Sequence, residues 1–245
     1  HVARYADDLA DEGDASSDAR LAALNECSAE LQRIARNETP LSARFQALAP
    51  VIARYAIPVQ LFEDLFSAFR QDVVKTRYQD FGEVIDYCRR SANPVGRILL
   101  HIFGQTDPRQ LALSDGICSA LQLVNFWQDV SIDLQKDRIY LPQDDLQRFA
   151  LTEADLQAGI ATPAFKRLMH YQCTKTRKML RAGSPLGVML PGRIGLEIRT
   201  IVLAADRVLT KLELVQYDVF QQRPILSRGD WPGILWQAFK TGFNK

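Results

Sequence analysis

The 245-residue chain is poor in the residues that would organise it from outside. It has four cysteines, Cys27, Cys88, Cys118 and Cys173, far apart and with no CxxC pair. That argues against a disulfide framework or a zinc site and fits a reducing cytosol. Its three histidines, His1, His101 and His170, lack HExxH-type spacing, which removes the commonest histidine metal centre. Thirty Lys and Arg against 29 Asp and Glu leave a net charge of +1, so no broad basic field exists to hold nucleic acid. No apolar run approaches the roughly 20 residues that span a bilayer. No signal peptide is legible at the start either. The chain opens His1-Val2-Ala3-Arg4, without a methionine and already in helical pattern, so N-terminal residues are expected to be missing.

Strand signals are also scarce. No run of alternating apolar and polar residues is bounded by Asn-Gly or Asp-Gly turns. What is present is 47% hydrophobic residues, enough for a real core, in helical periodicity almost throughout. The pattern predicts helices over about 2–12, 18–36, 41–55, 58–75, 79–104, 108–135, 152–157, 162–182, 191–216 and 230–242. Breaks fall at Gly13, Pro40, Pro58, the Gly104–Pro108 stretch, Pro142 and Ser184-Pro185. With no fixed repeat and no low-complexity linker, the chain reads as one all-α domain over 1–245.

The most informative segment runs from Ser114 to Asp133. Ile117, Leu121, Leu123, Val124, Phe126, Trp127, Val130 and Ile132 make it apolar on nearly every side, as suits a helix in the middle of a bundle. Yet Gln122, Asn125, Asp129 and Asp133 fall within roughly 80° of arc, one narrow polar stripe. Asp129 and Asp133 lie one turn apart, where like charges repel by about 0.2–0.5 kcal/mol even on an exposed helix. The bland alternative is a solvated face. The bulky apolar neighbours weigh against it, because buried charges must be paired or bind metal.

A second acidic group, Asp7-Asp8-Leu9-Ala10-Asp11-Glu12, has the form DDxxD, with Asp7, Asp8 and Asp11 on one face and Arg4 a turn before Asp8. Alone it reads equally well as solvated charge near a helix end. Paired with the first group it suggests two carboxylate-bearing helices facing each other across a bundle cavity and holding several Mg²⁺ ions, with Asn125 as a neutral oxygen ligand. Magnesium bridges carboxylates to substrate phosphates. A departing diphosphate needs that neutralisation.

With these residues in hand, the chain resembles the squalene/phytoene synthases over essentially its whole length. Arg4-Tyr5-Ala6-Asp7-Asp8-Leu9-Ala10-Asp11-Glu12 looks like their first aspartate-rich motif. Asn125-Phe126-Trp127-Gln128-Asp129-Val130-Ser131-Ile132-Asp133 with Asp137-Arg138-Ile139-Tyr140-Leu141-Pro142 looks like their second. Tyr87-Cys88-Arg89-Arg90-Ser91-Ala92-Asn93-Pro94-Val95-Gly96 resembles the helix between, and Gln71-Asp72 and Arg77-Tyr78 also match. Within the family, the details are similar to the bacterial hydroxysqualene synthases (HpnC type) of hopanoid biosynthesis, including Tyr217-Asp218-Val219-Phe220 with Arg223-Pro224. Gln128 stands where presqualene and phytoene synthases usually carry Arg, and the family's helix before Arg4 is absent.

The resemblance implies a class I terpenoid synthase bundle with a central apolar cavity. It implies Mg²⁺ as cofactor, held by Asp7, Asp8, Asp11, Asn125, Asp129 and Asp133, and no NADPH. The substrate is a prenyl diphosphate whose leaving group meets Arg4, Arg138, Tyr140 and Asn125, while Tyr87 orients it or stabilises a carbocation; Asp7, Asp11, Asp129 and Asp133 count with Tyr87 as catalytic. Pro94 inside its helix predicts a kink that lines the pocket. Arg193, Glu197 and Arg199 read either as diphosphate contacts or as surface charge. The implied reaction is conversion of presqualene diphosphate to hydroxysqualene. Head-to-head condensation of two farnesyl or geranylgeranyl diphosphates stays open, as does a non-catalytic helical assembly factor. The amphipathic tail from Trp231 to Lys240 either packs on the bundle or touches the inner membrane face peripherally.

Overall fold

The structure, a computed structural model, describes residues 1–243. It is all helical, and two compact units divide it: His1–Lys75 with Asp86–Thr106, and Thr76–Ile85 with the chain from Asp107 on. No helix among the described residues is long and apolar enough to cross a membrane.

The first unit is built on α1 (Val2–Asp11), α2 (Ser17–Ala35), α3 (Ala43–Tyr55) and α4 (Gln60–Val74). Then α5 (Phe81–Ser91) enters it from the second unit at Asp86, and α6 (Asn93–Ile102) completes it. Its core is one cluster: Val2, Ala6 and Ala10 of α1, Leu24, Cys27 and Leu31 of α2, Phe45 and Ile52 of α3, and Leu61, Leu65, Phe66 and Phe69 of α4. The spacing of these residues by three, four or seven is the apolar stripe that the periodicity predicts.

The second unit holds α7 (Pro108–Gln128), α8 (Val130–Gln135), α9 (Gln143–Arg148), α10 (Glu153–Gln157), α11 (Pro163–Gly183), α12 (Leu186–Met189), α13 (Gly192–Leu214) and α14 (Trp231–Phe243). The starts of α7 and α11 follow from sequence chemistry. Asp107 accepts from the backbone amides of Arg109 and Gln110, Thr162 from that of Phe165, and each cap precedes a proline that needs no partner for a missing N–H. Helices α7 and α11 form the principal pair of this unit. They come so close at Gly183 that a Cβ there would stand 2.7 Å from the Ile117 side chain and 2.8 Å from the Leu113 carbonyl oxygen. A buried polar chain stitches the pair: Trp127 Nε1 donates to Thr176 Oγ1 (2.8 Å), Thr176 to the Gln172 carbonyl, and Gln172 Nε2 to Asp145 Oδ2 (2.6 Å).

Three sequence expectations need revision. The helix expected over 79–104 is two helices, broken at Ala92, because Pro94 cannot continue a helix and instead sits in the first turn of α6. The helix expected over 108–135 breaks at Asp129, which ends α7 and precedes α8. Short helices α9 and α12 were not expected; at six and four residues they are stabilised by packing rather than by their own propensity. In the tail, Ile234 and Ala238 are buried, whereas Trp231, Leu235, Trp236 and Phe239 remain exposed, so packing accounts for one side of α14 only.

Candidate active site

In the first unit, the alanines and valine of α1 bury one face, and that fixes where the acids point. Asp7 and Asp8 are half-buried and Asp11 is exposed. Arg4 Nη1 lies 3.1 Å from Asp7 Oδ2 and its Nε 4.0 Å from Asp8 Oδ1. Burial pushes the Asp7 carboxyl above its ordinary range, and the charges of Asp11 and Asp8 add to this against the pull of Arg4. Sequence reasoning missed Arg20 of α2. Its guanidinium donates to the carbonyls of Ala10 and Gly13, which ties off the end of α1 where the helix dipole favours a cation.

Tyr87 is buried in the same unit, and its hydroxyl donates to Asp72 Oδ2 at 2.8 Å. The Gln71-Asp72 pair, matched only as a motif in the sequence, thus supplies that phenol's partner. Gln71 Oε1 accepts from Arg90 Nη2 at 2.6 Å, and Arg90 also reaches Ser67 and Asp86, so α4 and α5 are clamped around Tyr87.

In the second unit, Asn125 is exposed, while Asp129 and Asp133 are half-buried. The break at Asp129 leaves the one-turn spacing intact, since the Asp133 amide still donates to the Asp129 carbonyl at 2.8 Å. Arg223, from the loop after α13, forks onto Asp129: Nε meets Oδ1, and Nη2 lies 3.1 Å from Oδ2. The next residue is held too, because buried Gln128 donates through Nε2 to the Pro224 carbonyl. The sequence offered Arg223-Pro224 as a motif but no reason to place it on the second acidic motif.

The turn after α8 brings Arg138 into place. Asp137 adopts φ +53°, and Arg77 holds it by donating to its carbonyl and to Oδ1 (2.6 Å), with a further bond to Glu153 Oε1 (2.9 Å). The Ile139 amide donates to the Thr76 carbonyl, and the Arg138 amide to that of Asp133. Arg138 is half-buried beside Asp133, Phe126 and Tyr140 at a small crevice. Tyr140 is mostly core: its ring stacks on Phe126 at 3.7 Å between centroids and on Tyr78 at 5.5 Å. Of the later charges, Arg193 and Glu197 form an exposed i, i+4 pair. Arg199 donates to the Ala238 and Gly187 carbonyls, which makes it a strut joining α12, α13 and α14.

Among the described residues, no three His, Cys, Asp or Glu side chains converge as a ready-made metal cage. Magnesium does not require one, since it keeps several waters and takes one or two carboxylates plus substrate phosphates. The donors on offer are all oxygen, and Asp7 is held among like charges, a situation a divalent cation relieves. The residues therefore fit the ion.

The chain is similar to several known proteins. The squalene/phytoene synthase family model matches residues 1–230. Hydroxysqualene synthase of Rhodopseudomonas palustris is 37% identical over 86% of this chain and 71% of its own. Phytoene synthase of Arthrospira platensis is 31% identical over 90% of this chain and 75% of its own. The crystal structure of squalene synthase HpnC from Alicyclobacillus acidocaldarius superposes with a TM-score of 0.83 at 34% identity, over 88% of this chain and 81% of that one. A dehydrosqualene synthase at 20% identity shares the fold, with a TM-score of 0.84 over 98% of this chain and 83% of that one. The chain belongs to the squalene/phytoene synthase family, and its fold is the all-α terpenoid synthase bundle of those neighbours.

Proposed function

We propose that this chain ionises presqualene diphosphate and converts it to hydroxysqualene, using Mg²⁺ and no NADPH. The carbon–oxygen bond breaks with both electrons leaving on diphosphate. The cyclopropylcarbinyl cation rearranges, and water adds to it with loss of a proton. Magnesium, when bound, supplies positive charge to the departing diphosphate. Each unit carries its own candidate oxygen donors for it: Asp7, Asp8 and Asp11 in the first, and Asn125, Asp129 and Asp133 in the second. Arg4 and Arg138 are the guanidinium donors for the diphosphate oxygens. Asp72 fixes the orientation of the Tyr87 phenol, whose ring and hydroxyl are the candidates for meeting the cation. Tyr140, stacked between Phe126 and Tyr78, supports Arg138 by shaping the wall rather than by acting as a free hydroxyl arm.

The observation that carries this branch is Gln128. It is buried and its amide is committed to the Pro224 carbonyl, at a position where the condensing enzymes usually have Arg. The Rhodopseudomonas and Sinorhizobium fredii hydroxysqualene synthases, at 37% and 33% identity, support the same branch. The 31% identity to a phytoene synthase keeps condensation of two prenyl diphosphates as the second reading.

The test is to incubate the protein with Mg²⁺ and either presqualene diphosphate or farnesyl diphosphate, without NADPH, and identify extracted products by mass spectrometry. Hydroxysqualene from presqualene diphosphate alone, lost in Asp129→Ala, is the expected result. Presqualene diphosphate made from farnesyl diphosphate would move the chain to the condensing branch. Turnover of neither would favour a non-catalytic helical factor.

A further inference from the structure

Asp129 is proposed above as a magnesium ligand, yet its carboxylate is already engaged. Arg223 uses two nitrogens of its fork on the two oxygens, the geometry in which a guanidinium neutralises a carboxylate most completely. The arginine is delivered by a preformed loop. Gln216 and Tyr217 take positive φ and turn the chain back after α13. The Tyr217 hydroxyl then meets His170 Nδ1 at 2.9 Å. Phe220 packs on Phe165 with centroids 4.8 Å apart, Val219 is buried, and the Pro224 carbonyl accepts from Gln128. Residues on both sides of Arg223 are thus anchored, which lowers the entropy cost of holding its guanidinium on the carboxylate.

A divalent cation arriving at Asp129 meets two obstacles. The oxygens facing the fork are in use, and a fixed positive charge stands within hydrogen-bond distance of the ligand atom. Arg223 is about half exposed, so water screens part of the repulsion and leaves the pair displaceable.

We propose that Arg223 is an internal competitor for the cation of the second acidic motif: it neutralises Asp129 while no cation is bound and raises the concentration of cation needed to occupy that carboxylate. The role is one of positioning and threshold, exerted through Asp129. It rests on the reading of Asp129 as a metal ligand, but not on which prenyl diphosphate is the substrate.

The experiment is a titration of the protein with Mn²⁺, a spectroscopic stand-in for Mg²⁺, followed by electron paramagnetic resonance and by calorimetry, without any diphosphate. Arg223→Gln is expected to bind the ion about tenfold more tightly than the unaltered chain, and Arg223→Lys, which keeps charge but loses the fork, by a smaller factor. In an Asp129→Asn background, Arg223→Gln is expected to change nothing. Far-ultraviolet ellipticity checks that each variant folds. An unchanged or weaker affinity in Arg223→Gln overturns the proposal, as does a gain that persists without Asp129. Absence of Mn²⁺ binding in every variant overturns this inference, and the same titration repeated with inorganic diphosphate present then tests the magnesium reading itself.

Discussion

Tyr87 and Asp230 show at the residue scale how a carboxylate partner decides what a side chain can do. The Tyr87 phenol donates to Asp72 within the first unit. Removing it in Tyr87→Phe is expected to lower stability by about 1–3 kcal/mol, as for a hydrogen bond to a charged acceptor, measured by urea unfolding. If the proposed role holds, turnover falls far more than stability does. Asp230 is a purely structural case. Arg207 (2.8 Å), Lys211 (2.7 Å) and the amide and hydroxyl of Ser227 surround its buried carboxylate and hold it well below the usual carboxylate range. Its folded form therefore releases the proton more readily than the unfolded chain does. Its stabilisation is complete above the unfolded value of about 4 and is lost as pH falls toward the folded one. Asp230→Asn should lower Tm at neutral pH, with the gap to the unaltered chain constant above about pH 5 and closing progressively below about pH 4. The acidic residues themselves were legible, because like charges one turn apart on an apolar helix demand an explanation. Their partners were not. Arg223 lies 94 residues from Asp129 and Arg77 lies 60 from Asp137, and no local pattern links positions so distant.

At the scale of elements, the periodicity located every helix of ten residues or more, and the errors lie where tertiary structure interrupts a good local pattern. The break at Asp129 follows a helix apolar enough to run on, and Arg223 and Gln128 fasten that corner from outside it. Pro94 announced its own break, although as the start of a new helix rather than as a bend. Gly183 carries the close approach of α7 and α11. Gly183→Ala is expected to cost about 1–3 kcal/mol, read from denaturant midpoints, because the obstacles are the Leu113 carbonyl and the Ile117 stem rather than a flexible tip. Asp7 stores the opposite kind of strain. Its carboxyl is raised by burial and by Asp11 and Asp8, so its ionised form opposes folding above its ordinary range. Asp7→Asn should therefore raise Tm near neutral pH in chelator and reduce the further gain on adding Mg²⁺, both measurable by differential scanning fluorimetry.

For the whole molecule, the absences in the sequence proved as informative as the motifs. Few strand signals and no separated low-complexity segment pointed to an all-α chain, and the two aspartate motifs in order pointed to the family that the comparisons establish. The contacts nevertheless divide the chain into two compact units, a division set by which apolar stripes face each other and not by linker composition. The tryptophans follow that division. Trp127, Trp231 and Trp236 all lie in the second unit. Trp127 is fully buried, two residues from Asp129, whereas Trp231 and Trp236 are 41% and 70% exposed. Iodide should silence the two on α14 and leave a blue-shifted remainder from Trp127. That remainder would be an optical gauge already fitted beside the second acidic motif, able to report occupancy of Asp129 without a label.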